Sequence, residues 1–119
     1  MTWTLKLRED AEGGAELRRR IDKLTDRQAE CLVIFCRQLE RTGPEDDTKV
    51  ALTTQGHEVH LSGIHGCKWD LGTLVGRNTR KITVIGLYPQ DGAGQFARIQ
   101  TVREDAETAL QQSRFGTSA

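Results

Sequence analysis

The first segments of the chain change from a period of two to the spacing of a helix. In residues 2–7, Trp3, Leu5 and Leu7 alternate with polar residues, which predicts a half-buried strand. Apolar residues then recur every three or four positions among arginines and lysines in residues 15–24, which predicts a short, strongly charged helix.

A second and more apolar helix is predicted between Thr25 and Gly43. Thr25 with Gln28 three residues later is a capping-box pattern, and Gly43 followed by Pro44 is a stop signal. One apolar face is predicted between these signals, formed by Ala29, Leu32, Val33, Ile34, Phe35, Cys36 and Leu39. The two helices are therefore expected to form an αα-hairpin in which the second is the more buried.

From Val50 onward the period returns to two, and five segments are strand candidates: 50–54, 57–62, 68–75, 80–88 and 96–102. The last separator, with Asp91-Gly92 and Gly94, predicts a long hairpin turn.

A second capping-box pattern, Thr101 with Glu104, predicts a short helix through Gln112, and residues 113–119 are predicted to be a disordered tail. The resulting order is β-α-α-β-β-β-β-α. It predicts an α+β fold made of an N-terminal strand, an αα-hairpin, an antiparallel β meander and a short C-terminal helix.

The composition limits the classes of protein that fit. A chain of 119 residues suits one domain, 1–119, and its 17 basic and 17 acidic residues cancel. Residues 68–103 nevertheless carry six cations against two anions. Three cysteines without a CxxC spacing argue against a disulfide framework, and no apolar run reaches the roughly 18 to 20 residues of a membrane span. We expect a cytoplasmic protein with no membrane partner.

All three histidines fall within the stretch GHEVHLSGIHGCKW, residues 56–69. A zinc site needs about four converging ligands. In a strand, His57 and His60 point to opposite faces, so we predict no metal and no other cofactor. A single histidine can still transfer a proton at neutral pH, which leaves a catalytic role open for His60 and His65. The alternatives are a packed His57 and a His60 on a solvated strand face.

The order of elements resembles the RelE/ParE superfamily of bacterial toxins, including its HigB branch. The resemblance is carried by the strand that enters a charged helix (1–11), the helical pair ending in ERTGP (40–44), the Leu-Ser-Gly at 61–63 and the closing strands and helix (80–110). It implies the toxin component of a bacterial or phage toxin–antitoxin system. The partner implied is an antitoxin-like protein that lays an extended or helical segment over the sheet and helices.

RelE-like members of this superfamily cleave messenger RNA on the ribosome without a metal, so the resemblance implies the ribosome and mRNA as further partners. By position, Arg80 and Arg103 fall near two catalytic arginines of the family, and His60 or His65 would carry the proton. Further residues that could contact the substrate are Lys68, Arg77, Lys81, Tyr88 and Arg98.

Two departures from the family pattern keep other functions open. Asp70 and Gly72 stand where the family has paired lysines, and its C-terminal tyrosine has no counterpart. A non-catalytic binder of the same fold, such as a ParE-like inhibitor of gyrase or a phage regulatory protein, needs only a surface patch and the basic residues. A housekeeping domain with a convergent fold is the third alternative.

Overall fold

A computed structural model describes residues 2–44, 49–90 and 94–117. Its elements follow the predicted order and form an α+β fold. They are β1 (Thr4–Leu7), α1 (Ala11–Asp22), α2 (Asp26–Thr42), β2 (Lys49–Leu52), β3 (Glu58–Gly63), β4 (Trp69–Gly76), β5 (Lys81–Pro89) and α3 (Gln95–Thr117). Within the described ranges, no helix has both the length and the apolar character needed to cross a membrane.

The strands form one sheet in the order β1-β5-β4-β3-β2. The last four strands are antiparallel neighbours, as predicted, whereas β1 lies parallel to β5. The pairing of β1 with β5 runs only from Thr4↔Lys81 to Leu7↔Val84. No described strand continues along the outer side of residues 85–89, because the chain leaves the sheet after Leu7 to enter α1.

Helices cover both faces of the sheet. The face under α1 and α2, here the α1/α2 face, has a core of Leu17, Leu32, Phe35, Leu39, Ile64, Cys67, Leu71, Ile82, Val84 and Leu87. The opposite α3 face has a core of Val59, Leu61, Ile85, Tyr88, Ile99, Val102 and Ala106. Because both faces are buried, the middle of β5 is a near-continuous apolar run instead of an alternating one.

The capping box predicted for α2 is present. The Thr25 hydroxyl accepts a hydrogen bond from the Gln28 backbone N–H at 3.2 Å, and the Gln28 side chain accepts one from the Thr25 N–H at 3.0 Å. Gly43 ends the helix with φ 76° and lies so close to the Trp3 ring that a Cβ would come within 2.5 Å of it. A residue with a side chain could not take its place without moving Trp3.

The predicted apolar face of α2 was too wide. Leu32, Phe35 and Leu39 are buried at helical spacing, but Val33 and Ile34 are 48% and 58% exposed. One helix presents only a stripe to the sheet, so apolar residues next to that stripe remain in solvent.

The predicted start of α1 at residue 15 was wrong, since the helix begins at Ala11. Asp10 is its N-cap and accepts a hydrogen bond from the Gly13 N–H at 3.3 Å. Gly13 is inside the helix because the Arg8 guanidinium lies against it, where a Cβ would be 2.1 Å from the guanidinium carbon.

The strand predicted over residues 96–102 is also wrong, because this segment forms the first turns of α3. Ile99, Val102 and Ala106 face the sheet at helical spacing, while Phe96 is 76% exposed. The predicted hairpin turn at Asp91-Gly92 lies outside the described residues. The predicted tail overlaps α3 as far as Thr117, and residues 118–119 are likewise outside the described part.

Candidate functional site

The structure does not bring the four predicted catalytic residues together. His60 lies on the α1/α2 face of β3, whereas Arg103 belongs to α3 on the opposite side of the sheet. His65 is exposed in the turn before β4, and Arg80 is exposed in the turn after it. Eight residues of β4 separate these turns, roughly 25 Å at the usual rise of a strand.

His60 is buried, with 2% of its surface exposed, and its Nε2 lies 3.3 Å from the Glu58 carboxylate. Burial lowers the pKa of His60, although the nearby Glu58 charge acts in the opposite direction. Arg77 donates to the other Glu58 oxygen at 2.5 Å, and this bond lowers the pKa of Glu58. His57, by contrast, is exposed, so the predicted surroundings of these two histidines are reversed.

The two arginines predicted to be catalytic, Arg80 and Arg103, lie in different surroundings. Arg80 has a left-handed backbone, φ 52°, and its guanidinium lies 5.9 Å from the centre of the Trp3 ring, a cation–π geometry. The Nε of Arg103 is buried and has no hydrogen-bond partner within the described part of the chain. One turn along α3, hydrogen bonds from the Thr54 hydroxyl and N–H lower the pKa of Glu107, and the Arg103 charge adds to this effect.

The residues predicted to contact substrate also separate into groups. Arg77 and Lys81 lie at the same end of the sheet as Arg80, while Lys68 lies at the other end. Tyr88 and Arg98 do come together, because both line a groove of 980 Å³ between α1, the second half of β5 and α3. We call it the α1/α3 groove.

The α1/α3 groove exists because β1 stops at Leu7. Beyond that point, α1 and α3 extend past the outer side of β5, whose residues 85–89 form the floor of the groove. Arginine side chains reach the floor in place of a neighbouring strand: Arg20 donates to the Leu87 carbonyl, and Arg8 lies 3.5 Å from the Ile85 carbonyl. The groove is therefore lined by polar groups held in position by the fold.

A buried ion pair fixes one end of the groove. Arg8 donates to both carboxylate oxygens of Asp10, from Nε to Oδ1 at 2.6 Å and from Nη2 to Oδ2 at 2.7 Å. The hydrogen bonds from Arg8 hold the pKa of Asp10 below its ordinary value. Because Asp10 also caps α1, the pair ties the start of this helix to the end of β1.

A second polar pair joins the floor to α3. The Tyr88 hydroxyl donates to Asp105 at 2.7 Å. Burial raises the pKa of Tyr88 and the bond to Asp105 raises it further, although the charges of Arg8 and Arg20 oppose these effects. The hydroxyl therefore stays protonated at neutral pH, next to an acceptor carboxylate and two guanidinium groups. A protonated hydroxyl beside guanidinium groups is the kind of set that stabilises an anion.

Sequence reasoning identified Tyr88 and Arg98 but missed Arg8, Arg20 and Asp105. No motif links these residues, because they come from the end of a strand and from two helices that only the fold brings together. The histidine stretch, residues 56–69, was a stronger sequence signal for a site than any of the groove residues. Yet no three His, Cys, Asp or Glu side chains in the described ranges are placed to hold a metal ion.

Of the comparisons with known proteins, the one with solved structures finds a similar fold. No family model and no curated protein matches the chain. Among solved structures, it is similar to a chain of the crystal structure of the archaeal RelE-RelB complex from Pyrococcus horikoshii OT3, with a TM-score of 0.62 and 16% identity. The match covers 78% of this chain and 100% of that chain. The fold is therefore RelE-like, as the order of elements predicted.

Proposed function

We propose that this chain is the toxin-like component of a toxin–antitoxin pair. The observation that carries the proposal is the RelE-like fold, which extends over 78% of this chain and includes the whole of a chain solved in a RelE-RelB complex. That protein assembles with a second protein, and a partner of the same kind would neutralise this one.

Growth on induction tests this role. The chain expressed alone from a tight promoter should arrest growth, and co-expression of the product of an adjoining short gene should restore it. Unimpaired growth with the folded protein present at a measured level would contradict the toxin-like role.

A second, narrower candidate is metal-independent cleavage of RNA in the α1/α3 groove, favoured by the Tyr88–Asp105 pair. In such a reaction the 2′-oxygen forms a bond to phosphorus and the bond from phosphorus to the 5′-oxygen breaks. Asp105 would take the 2′ proton, and the Tyr88 hydroxyl would protonate the leaving 5′-oxygen. Arg20 and Arg98 would stabilise the charge gained by the phosphate.

The charges along the groove suggest where this activity should be sought. Its charged lining is balanced, with four arginines and four carboxylates: Arg8, Arg19, Arg20, Arg98, Asp10, Glu12, Glu16 and Asp105. A balanced lining attracts free RNA weakly, since nonspecific binding depends on neutralising phosphates with excess cations. We therefore place the substrate on the ribosome, where other contacts can position the messenger.

Mapping transcript ends after induction separates the proposals. If the groove cleaves RNA, Tyr88→Phe should abolish the new ends although the less stable protein still folds, because the variant removes the hydroxyl that protonates the leaving oxygen. The set proposed from the sequence predicts instead that Arg80→Ala, Arg103→Ala and either His60→Gln or His65→Gln abolish them. If only Tyr88→Phe, or only the arginine and histidine variants, lose the new transcript ends, that result identifies the site. Cleavage by Tyr88→Phe equal to that of the unmodified chain would contradict a catalytic site in the α1/α3 groove.

Intact transcripts together with growth arrest would leave the non-catalytic alternative, a binder of gyrase or of another target. In that case the histidine variants and Tyr88→Phe should all arrest growth like the unmodified chain. Supercoiling of plasmid DNA by gyrase, measured with and without the purified chain, then tests that target directly.

A further inference from the structure

Two of the three free cysteines lie close together although they are far apart in sequence. Cys31 belongs to α2, and Cys67 belongs to the turn between β3 and β4. Cys67 is 8% exposed and forms part of the core of the α1/α2 face, and Cys31 packs against the same core. Neither thiol lines the α1/α3 groove, so neither has a role in the reaction proposed for it.

Gly66 allows the Cys31 sulfur to reach this turn. A Cβ at residue 66 would lie 3.2 Å from the Cys31 Sγ, closer than most Cβ contacts. Gly66 has φ 78°, a left-handed backbone that favours glycine, and Cys67 follows it directly. The sulfur on α2 therefore lies beside the backbone that carries the second thiol, and residue 66 places no side chain there.

Hydrogen bonds hold the turn in this position. The Cys67 N–H donates to the Ile64 carbonyl at 3.1 Å, and the Ile64 N–H donates to the Trp69 carbonyl at 3.2 Å. Ile64 is buried in the same core as Leu32, the residue that follows Cys31 on α2. The packing that fixes α2 on the sheet therefore also limits how far the two sulfurs can separate.

The two thiols differ in which can react first. Burial raises the pKa of Cys67, a hydrogen bond from the Trp69 N–H lowers it, and the neighbouring Cys31 raises it. A buried thiol with a raised pKa provides little thiolate at neutral pH, whereas Cys31 is only half-buried. Cys31 is therefore the thiol that a reagent in solution reaches first.

We propose that Cys31 and Cys67 are a reversible thiol–disulfide pair, which a low-molecular-weight disulfide such as glutathione disulfide oxidises. The Cys31 thiolate attacks one sulfur of the reagent and releases one glutathione thiolate. Cys67 loses its proton and attacks the Cys31 sulfur of the mixed disulfide, which releases the second glutathione thiolate. The protein loses two electrons and two protons, and the reagent gains them and becomes two molecules of glutathione. The inference does not depend on the toxin-like role.

Cys36 offers a matched control on the same helix. It is also half-buried against the core, and it follows Cys31 by five residues. Five residues turn its side chain about 140° around the helix axis, away from the direction of Cys31. Burial raises the pKa of Cys36 to about 11, and the Glu40 charge adds to this effect. The fold therefore predicts that Cys67 pairs with Cys31 and not with Cys36.

Intact-mass spectrometry of the full chain tests the pair. The reduced protein is incubated with glutathione disulfide, and the remaining thiols are then alkylated. The expected product is a monomer that has lost two hydrogen atoms and carries one alkyl group, on Cys36, and a dithiol reductant should restore all three thiols. Cys36→Ser should form the same disulfide. Cys31→Ser should form none, and Cys67→Ala should stop at one glutathione bound to Cys31.

Unfolding separates a pair selected by the fold from chance oxidation. In concentrated urea the bond between Cys31 and Cys36 should dominate, because it closes the shortest loop once the fold no longer holds Cys67 near α2. The bond formed in the folded chain should also raise the urea midpoint, because it restricts the unfolded chain between residues 31 and 67.

Three outcomes would overturn the proposal. They are a folded chain that keeps its thiols or gains only glutathione adducts, a disulfide that includes Cys36 in the folded chain, and a lower urea midpoint after oxidation. Because Cys67→Ala removes buried atoms, fragmentation of the linked peptides from the unmodified chain assigns the pair without any variant.

Discussion

At the scale of single residues, burial determines the charge of His60 and makes the stability of the protein depend on pH. Its pKa is lowered by burial in the folded state, so below about pH 6.5 the unfolded chain binds a proton that the folded chain resists. The free energy of unfolding should fall as pH decreases from 7 towards 5. In His60→Gln this loss should be smaller, as measured by urea unfolding at each pH.

His65→Gln is the matched control for this measurement, because His65 is exposed in a turn. It should keep the full pH dependence of the unmodified chain. An identical pH dependence in His60→Gln would show that the loss comes from other groups, such as the Glu58–Arg77 pair beside the imidazole.

The histidines show what alternation along a strand can and cannot predict. It placed His57 and His60 on opposite sides of β3, but it could not say which side would be covered. Both faces of β3 are buried from Val59 to Ser62, and His57 lies just before the strand begins. Burial therefore depends on α1, α2 and α3, which are distant in sequence.

The metal prediction also belongs to single residues and can be tested directly. Elemental analysis of protein purified without a histidine tag should find less than one zinc per chain. A chelator should leave the melting temperature unchanged, because zinc bound only to the folded state would stabilise it. One tightly held equivalent would contradict the argument from strand alternation.

At the scale of elements, α2 shows how a buried stripe carries stability. Leu32→Ala or Phe35→Ala should reduce the free energy of unfolding by about 2 to 5 kcal/mol, since each removes packed atoms and leaves a cavity. Val33→Ala, on the exposed side of the same helix, should change it by less than about 0.5 kcal/mol. Equal losses at all three positions in urea unfolding would show that the helix is packed differently.

The helices also show why boundaries were harder to predict than element types. Thr25, Gln28 and Gly43 are local signals with their own hydrogen bonds or backbone geometry, and α2 was placed correctly. In residues 96–102 the apolar positions fit strand and helix spacing about equally well, and packing of Ile99 and Val102 on the sheet decides for the helix. The predicted α1 began too late because Gly13 was taken as a break before the helix. In the structure Gly13 lies inside α1, where it makes room for the Arg8 guanidinium, and this contact is not visible in the sequence pattern.

At the scale of the whole molecule, the sheet lies between two helical layers, and a few polar pairs connect the layers to it. The α1 layer is held to β5 by Arg8 and Arg20, and α3 is held by the bond between Tyr88 and Asp105 and by the ion pair between Arg98 and Asp70. The α1/α3 groove is the space between these attachments. A site made this way leaves no compact motif in the sequence, which is why its members were predicted only in part.

The bond between Tyr88 and Asp105 should therefore contribute to stability as well as to the groove. Tyr88→Phe and Asp105→Asn should each cost about 1.5 to 3 kcal/mol, the range for a hydrogen bond to a charged group. Because the two side chains bind each other, the double variant should lose less than the sum of the single losses. Urea unfolding of the four proteins measures this coupling, and strictly additive losses would mean that the pair does not hold α3 to the sheet. The Leu110→Ala change, farther along α3, offers a comparison in which additivity with Tyr88→Phe is expected.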